Sequence, residues 1–511
     1  MARIQLTDMI VSLCGRMLTA TIRLDRSCNP VPEVTPSSHA GEGARGCSHG
    51  RGRNHGGAAP GLPGYTQPAV NARSRRMRSD HIVVVGAGIA GLTAAYRLKQ
   101  AGASVTVYEA RDYVGGRMTS LEWEGFTINP GAQFFTGADR YLLHMANDMG
   151  LADQIRQRAP GFLLAIYRDG RIYPVNFLSI GSYLTWRGVS LSGRLAMLRL
   201  LPHILRFRGI EIYHMERGPA PDDISYAEFF RRSISPEMFD YWAYPTFETN
   251  CSYQEDDLSR KAFLSLMAGY LNAKTYYFAD GIGALTAAFG RLLDVQTGVA
   301  VRQIEFEAGG VRLTLERAGK TENVRAGRVV VAVPGTRALS LFADPRPAWQ
   351  RFFPRVAYTR IATQFHVFEH ESFNPGVAPA DGVMIPRANR DIGVAFIYFQ
   401  QRQGKRWLAL TEARAGAYDP SLSDSEQLDR AWQEVARVYP ELRNRRVAAR
   451  QFHWPEKVPA FRAGYLDAVR EFFDDPQEGP VFFCGDYLAG PGTGAALFTG
   501  WECADRLLAS A

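Results

Sequence analysis

The thirty residues from His81 to Ala110, HIVVVGAGIAGLTAAYRLKQAGASVTVYEA, restrict the fold of this chain more than any others. Residues 82–85 form a continuous apolar run, the pattern of a strand buried on both faces. A glycine-rich turn follows at 86–91, then a helical pattern from Leu92 to Gln100 that Gly102 stops. Residues 104–108 read as a second short strand. A strand, a glycine turn, a helix and a strand at this spacing make a βαβ unit of the dinucleotide-binding type.

Each glycine of the GAGIAG turn has a separate task. Gly86 allows the tight turn, Gly88 lets a pyrophosphate approach the backbone, and Gly91 permits close packing of helix on strand. Ile89 and Ala90 lie in the same turn, at the helix N-terminus where unpaired N–H groups attract phosphate. Glu109 ends the second strand, eighteen residues after Gly91, where a carboxylate accepts the ribose hydroxyls of an adenosine. An acid at this place disfavours a 2′-phosphate and so argues against NADP. Ala110 directly follows it and is assigned to the same site.

A second motif, GGR at Gly115, Gly116 and Arg117, comes six residues after Glu109. It brings a flexible backbone and a guanidinium to the phosphates. With its neighbours it resembles the motif of the glutathione-reductase-like flavoproteins of the amine oxidase superfamily. Two further stretches carry the resemblance in the expected order. One is GIGALTAAFGRLLDVQTGVAVRQIEF and the other is FFCGDYLAGPGTGAALFTGWECADRLL near the C-terminal end. The resemblance implies non-covalent FAD, with the Val301 backbone at the adenine and Asp486 near the ribityl chain and pyrophosphate. It also implies that Gly494, Ala495 and Ala496 open a final helix whose N-terminus is aimed at the isoalloxazine. Gly131, Ala132 and Gly485 join the same cofactor-binding set. Cys484 reads as a core residue rather than a flavin attachment point.

The expected fold class is α/β: a Rossmann-like FAD-binding domain, split in sequence, with an inserted α+β substrate domain on a mixed sheet. The cofactor domain is expected at 80–135, 271–345 and 456–511. The substrate domain is expected as a mostly helical part at 136–270 and a strand-rich part at 346–455. SDSEQLDRAWQEVARVYP reads as a helix capped by Ser423. Residues 25–79 are rich in Pro, Gly, Ser and Arg, with little periodicity, and residues 1–79 are expected to be a disordered or mis-called extension, with a true start at Met77.

That segment also explains the charge. The chain has a formal net charge of +8, and residues 1–79 supply most of it, with 11 Arg and no Lys against four acids. The remainder is nearly neutral, which argues against nucleic acid as a partner. Three His and a Cys between His39 and Gly57 match no structural zinc spacing, so no metal site is expected. None of the six Cys forms a CxxC pair, which fits a reducing cytoplasm rather than a disulfide framework. No apolar run reaches the length of a transmembrane helix. SGRLAMLRLLPHILRFRG, at 192–209, interleaves arginines with leucines and suggests either an ordinary packed helix or peripheral contact with the inner face of a membrane.

Which bond the flavin oxidises depends on the substrate domain. Many amine oxidases of the superfamily keep a Lys on a strand beside the flavin and an aromatic pair around the substrate amine. The corresponding strand here, AYTRIATQFHVF, has no Lys, and Gly492–Gly494 stand where an aromatic is expected. GVMIPRANRDIGVAFIYF and the last motif are closer to the protoporphyrinogen-oxidase-like branch. The resemblance then implies an FAD-dependent oxidoreductase that takes hydride from a C–H bond of an apolar or aromatic molecule. Oxygen or a quinone would reoxidise it. A flavin amine or amino-acid oxidase and a non-redox sugar mutase are the alternatives. Tyr358, His366 and Tyr398 are candidate substrate residues on strands of the substrate domain.

Overall fold

The structure is a computed structural model, and it describes residues 81–510 apart from 159–162, 177–179, 272, 377–381, 390, 415–418, 420 and 476–478. The tail at 1–79, Met77 and the His39–Gly57 tract lie outside the described residues.

The βαβ unit folds as its pattern dictates. Strand His81–Val85 leads through the glycine turn into helix Ile89–Gln100, and Ser104–Tyr108 returns parallel to the first strand. Three more parallel strands complete the sheet, in the order Val295–Gln296, Ser104–Tyr108, His81–Val85, Arg328–Val331 and Val481–Phe483. This Rossmann-like sheet therefore gathers strands from three distant parts of the chain. Between them, Val299–Glu307 and Gly310–Arg317 pair as an antiparallel hairpin, with Gly309 at a φ of +87° in its turn.

A seven-stranded mixed sheet forms the second layer. Its order is Arg446–Trp454, Ile361–Glu369, Arg406–Ala413, Val394–Gln403, Gly382–Met384, Leu163–Arg168 and Arg171–Asn176. All pairs are antiparallel except Gly382–Met384 with Leu163–Arg168. The hairpin Leu163–Asn176 departs from the mostly helical expectation for 136–270. Asp169 and Gly170, both at positive φ, make its two-residue turn, and Gly382–Met384 then pairs along its first strand.

Period-two alternation gives this sheet two faces. Phe365, Val367, Met384, Phe396, Tyr398, Leu408 and Leu410 belong to the large core shared with the helical part and the cofactor domain. Phe368, Ile397, Phe399 and Ala409 face outward under Trp432 and Val435 of helix Asp424–Val438 and under Tyr439, which ends it. Ser423 caps that helix, and its hydroxyl and Glu426 form a capping box.

Candidate functional site

The three glycines of the turn divide their labour as the packing requires. Gly86 adopts a φ of +104°, and a Cβ there would meet the Ala332 carbonyl. A Cβ on Gly91 would overlap the Gly86 carbonyl, so helix and strand could not close. Gly88 differs, because a side chain at that position would point into open space. It pairs with Gly115 across a short bridge, and Gly116, at a φ of +56°, lies beside its Cα. The first intrahelical bond runs from the Leu92 N–H to the Gly88 carbonyl. The N–H groups of Ile89, Ala90 and Gly91 are thus left at the mouth of the cradle. The side chains of Ile89 and Ala90 are buried, so only their backbone can serve a ligand.

Glu109 is held by two N–H donors, Ala87 to Oε2 at 2.7 Å and Arg111 to Oε1 at 2.9 Å. Each carboxylate oxygen keeps a further lone pair for a hydroxyl. Ala110 is exposed. The strand carrying Val301 starts beside Glu109, since the Val299 N–H bonds the Glu109 carbonyl at 2.9 Å. Gly131 and Ala132 lie under the GGR loop. The Ala132 N–H donates to the Arg117 carbonyl at 2.9 Å, and a Cβ on Gly131 would overlap that carbonyl.

Arg117 and Asp486 meet directly, Nη1 to Oδ2 at 2.7 Å. Burial opposes the Arg117 charge, but Asp486 and Tyr358 outweigh it and hold the guanidinium above its ordinary pKa. The Gly485 N–H donates to the Thr499 hydroxyl at 2.9 Å, tying this loop to the final helix, Thr493–Ala509. That helix crosses Ile89–Gln100 closely, because a Cβ on Gly500 would overlap the Ala90 carbonyl. Its first turn supplies Gly494, Ala495 and Ala496. Gly494 must lack a side chain because a Cβ there would collide with Asp139 Oδ1 and the Tyr213 hydroxyl. Ala495 is buried against Ile212, Tyr213, Ala489 and Phe498, while Ala496 is half-buried. Asp139 accepts from the Thr136 N–H at 2.7 Å and from the Tyr213 hydroxyl at 2.6 Å. Burial pushes its pKa up despite these donors.

These residues fit FAD. An open glycine cradle, a helix N-terminus, an acid with free lone pairs and an arginine lie along one continuous edge of the parallel sheet. Bound there, FAD supplies a two-electron acceptor for hydride. Cys251, Cys484 and Cys503, the described cysteines, are free and buried, and Cys484 is fully enclosed beside Cys503.

The three substrate candidates separate. Tyr398 lies on the inner face of the mixed sheet, stacked on Phe396 at 5.6 Å with the Arg158 guanidinium 4.8 Å over its ring. Gln400, on the same strand, donates to Gln133 at 2.7 Å, which places this face next to the Gly131–Ala132 loop. His366 is a correction. It points to the outer face, where Nε2 meets the Thr411 hydroxyl at 2.9 Å and the ring packs on Trp432. Burial, with Arg446, lowers its pKa to about 3, so it is a neutral core group. Tyr358 is a second correction, because its hydroxyl donates to Asp486 at 2.9 Å and so belongs to the cofactor side.

Sequence reasoning missed two buried ion pairs on the inner side. Lys457 Nζ contacts both Glu412 oxygens, at 3.1 and 3.0 Å, and the Ser252 hydroxyl at 3.1 Å. Arg414 holds Glu248 at 3.0 Å, and burial lifts the Glu248 pKa to about 7 against the opposing pull of Arg414. The only hint was compositional: Lys457 is one of six lysines in a chain with 53 arginines.

The fold and this site define a flavin-dependent oxidoreductase. Residues 89–508 match the family model for flavin containing amine oxidoreductase, and the chain belongs to that family. It is 21% identical to protoporphyrinogen oxidase 2, chloroplastic/mitochondrial, of Arabidopsis thaliana, across 84% of this chain and 93% of the plant protein. Among solved structures, a triple mutant of putrescine oxidase matches with a TM-score of 0.69 at 18% identity, covering 84% of this chain and 99% of the other. A putative protoporphyrinogen oxidase from Exiguobacterium sp. 255-15 matches with a TM-score of 0.67 at 16% identity, covering 85% and 100%. The protein is therefore an FAD-dependent oxidoreductase of the flavin containing amine oxidoreductase family.

Proposed function

We propose that the protein dehydrogenates a C–H bond of an apolar or aromatic small molecule, and that oxygen or a quinone accepts the electrons. The observation that carries this reading is the inner face of the mixed sheet. It offers the stacked Phe396–Tyr398 pair, while the buried carboxylates Glu412 and Glu248 are already neutralised by Lys457 and Arg414. A cationic amine entering here would find both carboxylates engaged, and separating either pair would leave a charge buried, at a cost of about 3–5 kcal/mol. The chain's role is to hold the substrate's apolar body against the cofactor edge and keep water out. Anaerobic bleaching of the flavin by porphyrinogens or polyenes, but not by amines or amino acids, is the expected result. Bleaching by amines alone would reverse the assignment. Peroxide release against quinone reduction then identifies the acceptor.

A cytoplasmic location with peripheral membrane contact belongs to the same reading. Leu191, Leu195 and Leu205 are 60%, 47% and 61% exposed, and Arg199, Arg206 and Arg208 are exposed along the same stretch. That mixture suits an anionic lipid surface. Co-sedimentation with anionic vesicles should fall when the three leucines become serine, and equal binding by both proteins would refute the contact.

A further inference from the structure

Arg117 and Asp486 come from the nucleotide-binding motifs, but the group that completes their arrangement does not. Tyr358 stands on the segment that leads into strand Ile361–Glu369 of the mixed sheet, anchored by a bridge between Tyr358 and Pro459. Its hydroxyl donates to Asp486 Oδ1 at 2.9 Å, while Asp486 Oδ2 takes the Arg117 guanidinium at 2.7 Å. The same guanidinium lies 5.3 Å over the Tyr358 ring, so the three side chains close on one another. Arg117 is fixed further by donating to the Lys457 carbonyl at 2.8 Å, and Lys457 is itself pinned by Glu412 of the mixed sheet.

The consequences follow from the donor count. Without the Tyr358 hydroxyl, Asp486 Oδ1 keeps only the N–H of Tyr487, at 3.1 Å. The carboxylate could then rotate, and Arg117 would lose the fixed partner that orients its guanidinium. Hydrogen bonds to a charged group are about twice as strong as neutral ones, so one hydroxyl is enough to set this rotamer.

We infer that Tyr358 is a cofactor-positioning residue that works through Asp486 and Arg117, so that a segment of the substrate domain helps to retain FAD. The inference rests on the cofactor reading of this cradle. Phe at 358 keeps the ring and its contact with Arg117, and removes the donor to Asp486 together with a long acceptor contact, 3.4 Å, for the Gly335 N–H.

The test follows FAD release from the holoenzyme, as recovery of flavin fluorescence on dilution. Tyr358→Phe should release FAD about ten- to a hundredfold faster, the range for one lost hydrogen bond to a charged group. In an Asp486→Asn background the same change should add less than about twofold, because the two residues act as one unit. Asp486→Ser, whose side chain is too short to meet the Tyr358 hydroxyl, takes its place should the Asn protein retain no flavin. Any melting deficit of Tyr358→Phe should close as FAD is added in excess, as mass action requires of a binding defect. Release at the wild-type rate overturns the inference. So does a deficit that persists at saturating FAD, which marks a merely structural role, or an undiminished effect when Asp486 is already replaced. If wild-type protein binds no FAD at all, the cofactor reading itself has failed.

Discussion

His214 offers the sharpest test of how the final helix is held. The ring sits between two carboxylates, Nδ1 at 3.0 Å from Glu216 and Nε2 at 3.2 Å from Glu502 of the final helix. Its edge meets Phe498, and Arg217 shares Glu216 at 3.3 Å. Burial opposes protonation, but hydrogen bonds to Glu216 and Glu502 prevail and raise the His214 pKa from 6.5 to about 9. A raised folded-state pKa means that stabilisation is complete below the unfolded value near 6.5. It shrinks as pH rises and is lost above about 9. A shift of this size is worth about 3 kcal/mol at 1.36 kcal/mol per unit, reduced to about 2 kcal/mol because Glu502 is partly exposed. The folded body is about 430 residues, with an unfolding entropy of about 0.9 kcal/mol/K, so the expected melting difference is about 2 °C. Scanning the wild type and His214→Gln from pH 6 to 10 should show that gap at low pH and its disappearance above pH 9. A gap of constant size at every pH, or a Gln variant that melts higher at pH 6, would refute the clamp.

Three further outcomes are expected. Glu109→Ala removes the acceptor for the ribose and should weaken FAD retention by about 1.5–3 kcal/mol; unchanged flavin content on gel filtration would contradict the role of that carboxylate. Gly494→Ala forces a methyl into Asp139 and Tyr213 and should destabilise the protein by about 1–3 kcal/mol, read by denaturant unfolding; a variant as stable as the wild type would show that the first turn has room. His366→Gln should bleach with substrate at the wild-type rate, since His366 faces helix Asp424–Val438; a loss of about a hundredfold, the usual size of a missing acid–base group, would return it to the site.

The parts of this protein that were legible in the chain are those whose cause is local. Gly86, Gly88 and Gly91 are separated by a few bonds, and the turn they make leaves helix N–H groups free wherever the unit is placed. Glu109 ends the next strand of the same unit, and Ser423 with Glu426 caps its helix within four residues. The hairpin around Gly309 is equally self-contained. What remained hidden depends on which face of an element turns inward, and on what arrives from elsewhere to meet it. His366 and Tyr398 both lie on strands of one sheet, yet a strand alternates faces at every residue, and only the pairing register sends the first to Trp432 and the second to Phe396. The Leu163–Asn176 hairpin closes on its own Asp169–Gly170 turn, but that Gly382–Met384 pairs alongside it is decided only in the folded chain. The resemblance makes Gly494 the opening of the final helix, but Asp139 and Tyr213, from distant segments, are what exclude a side chain there. Tyr358, Arg117 and Asp486 become neighbours only when the two sheets dock, and Lys457 meets Glu412 only through the strand that lies between them, because the hydrogen bonds and charges that join these groups act over a few ångströms of space and carry no trace in chain order.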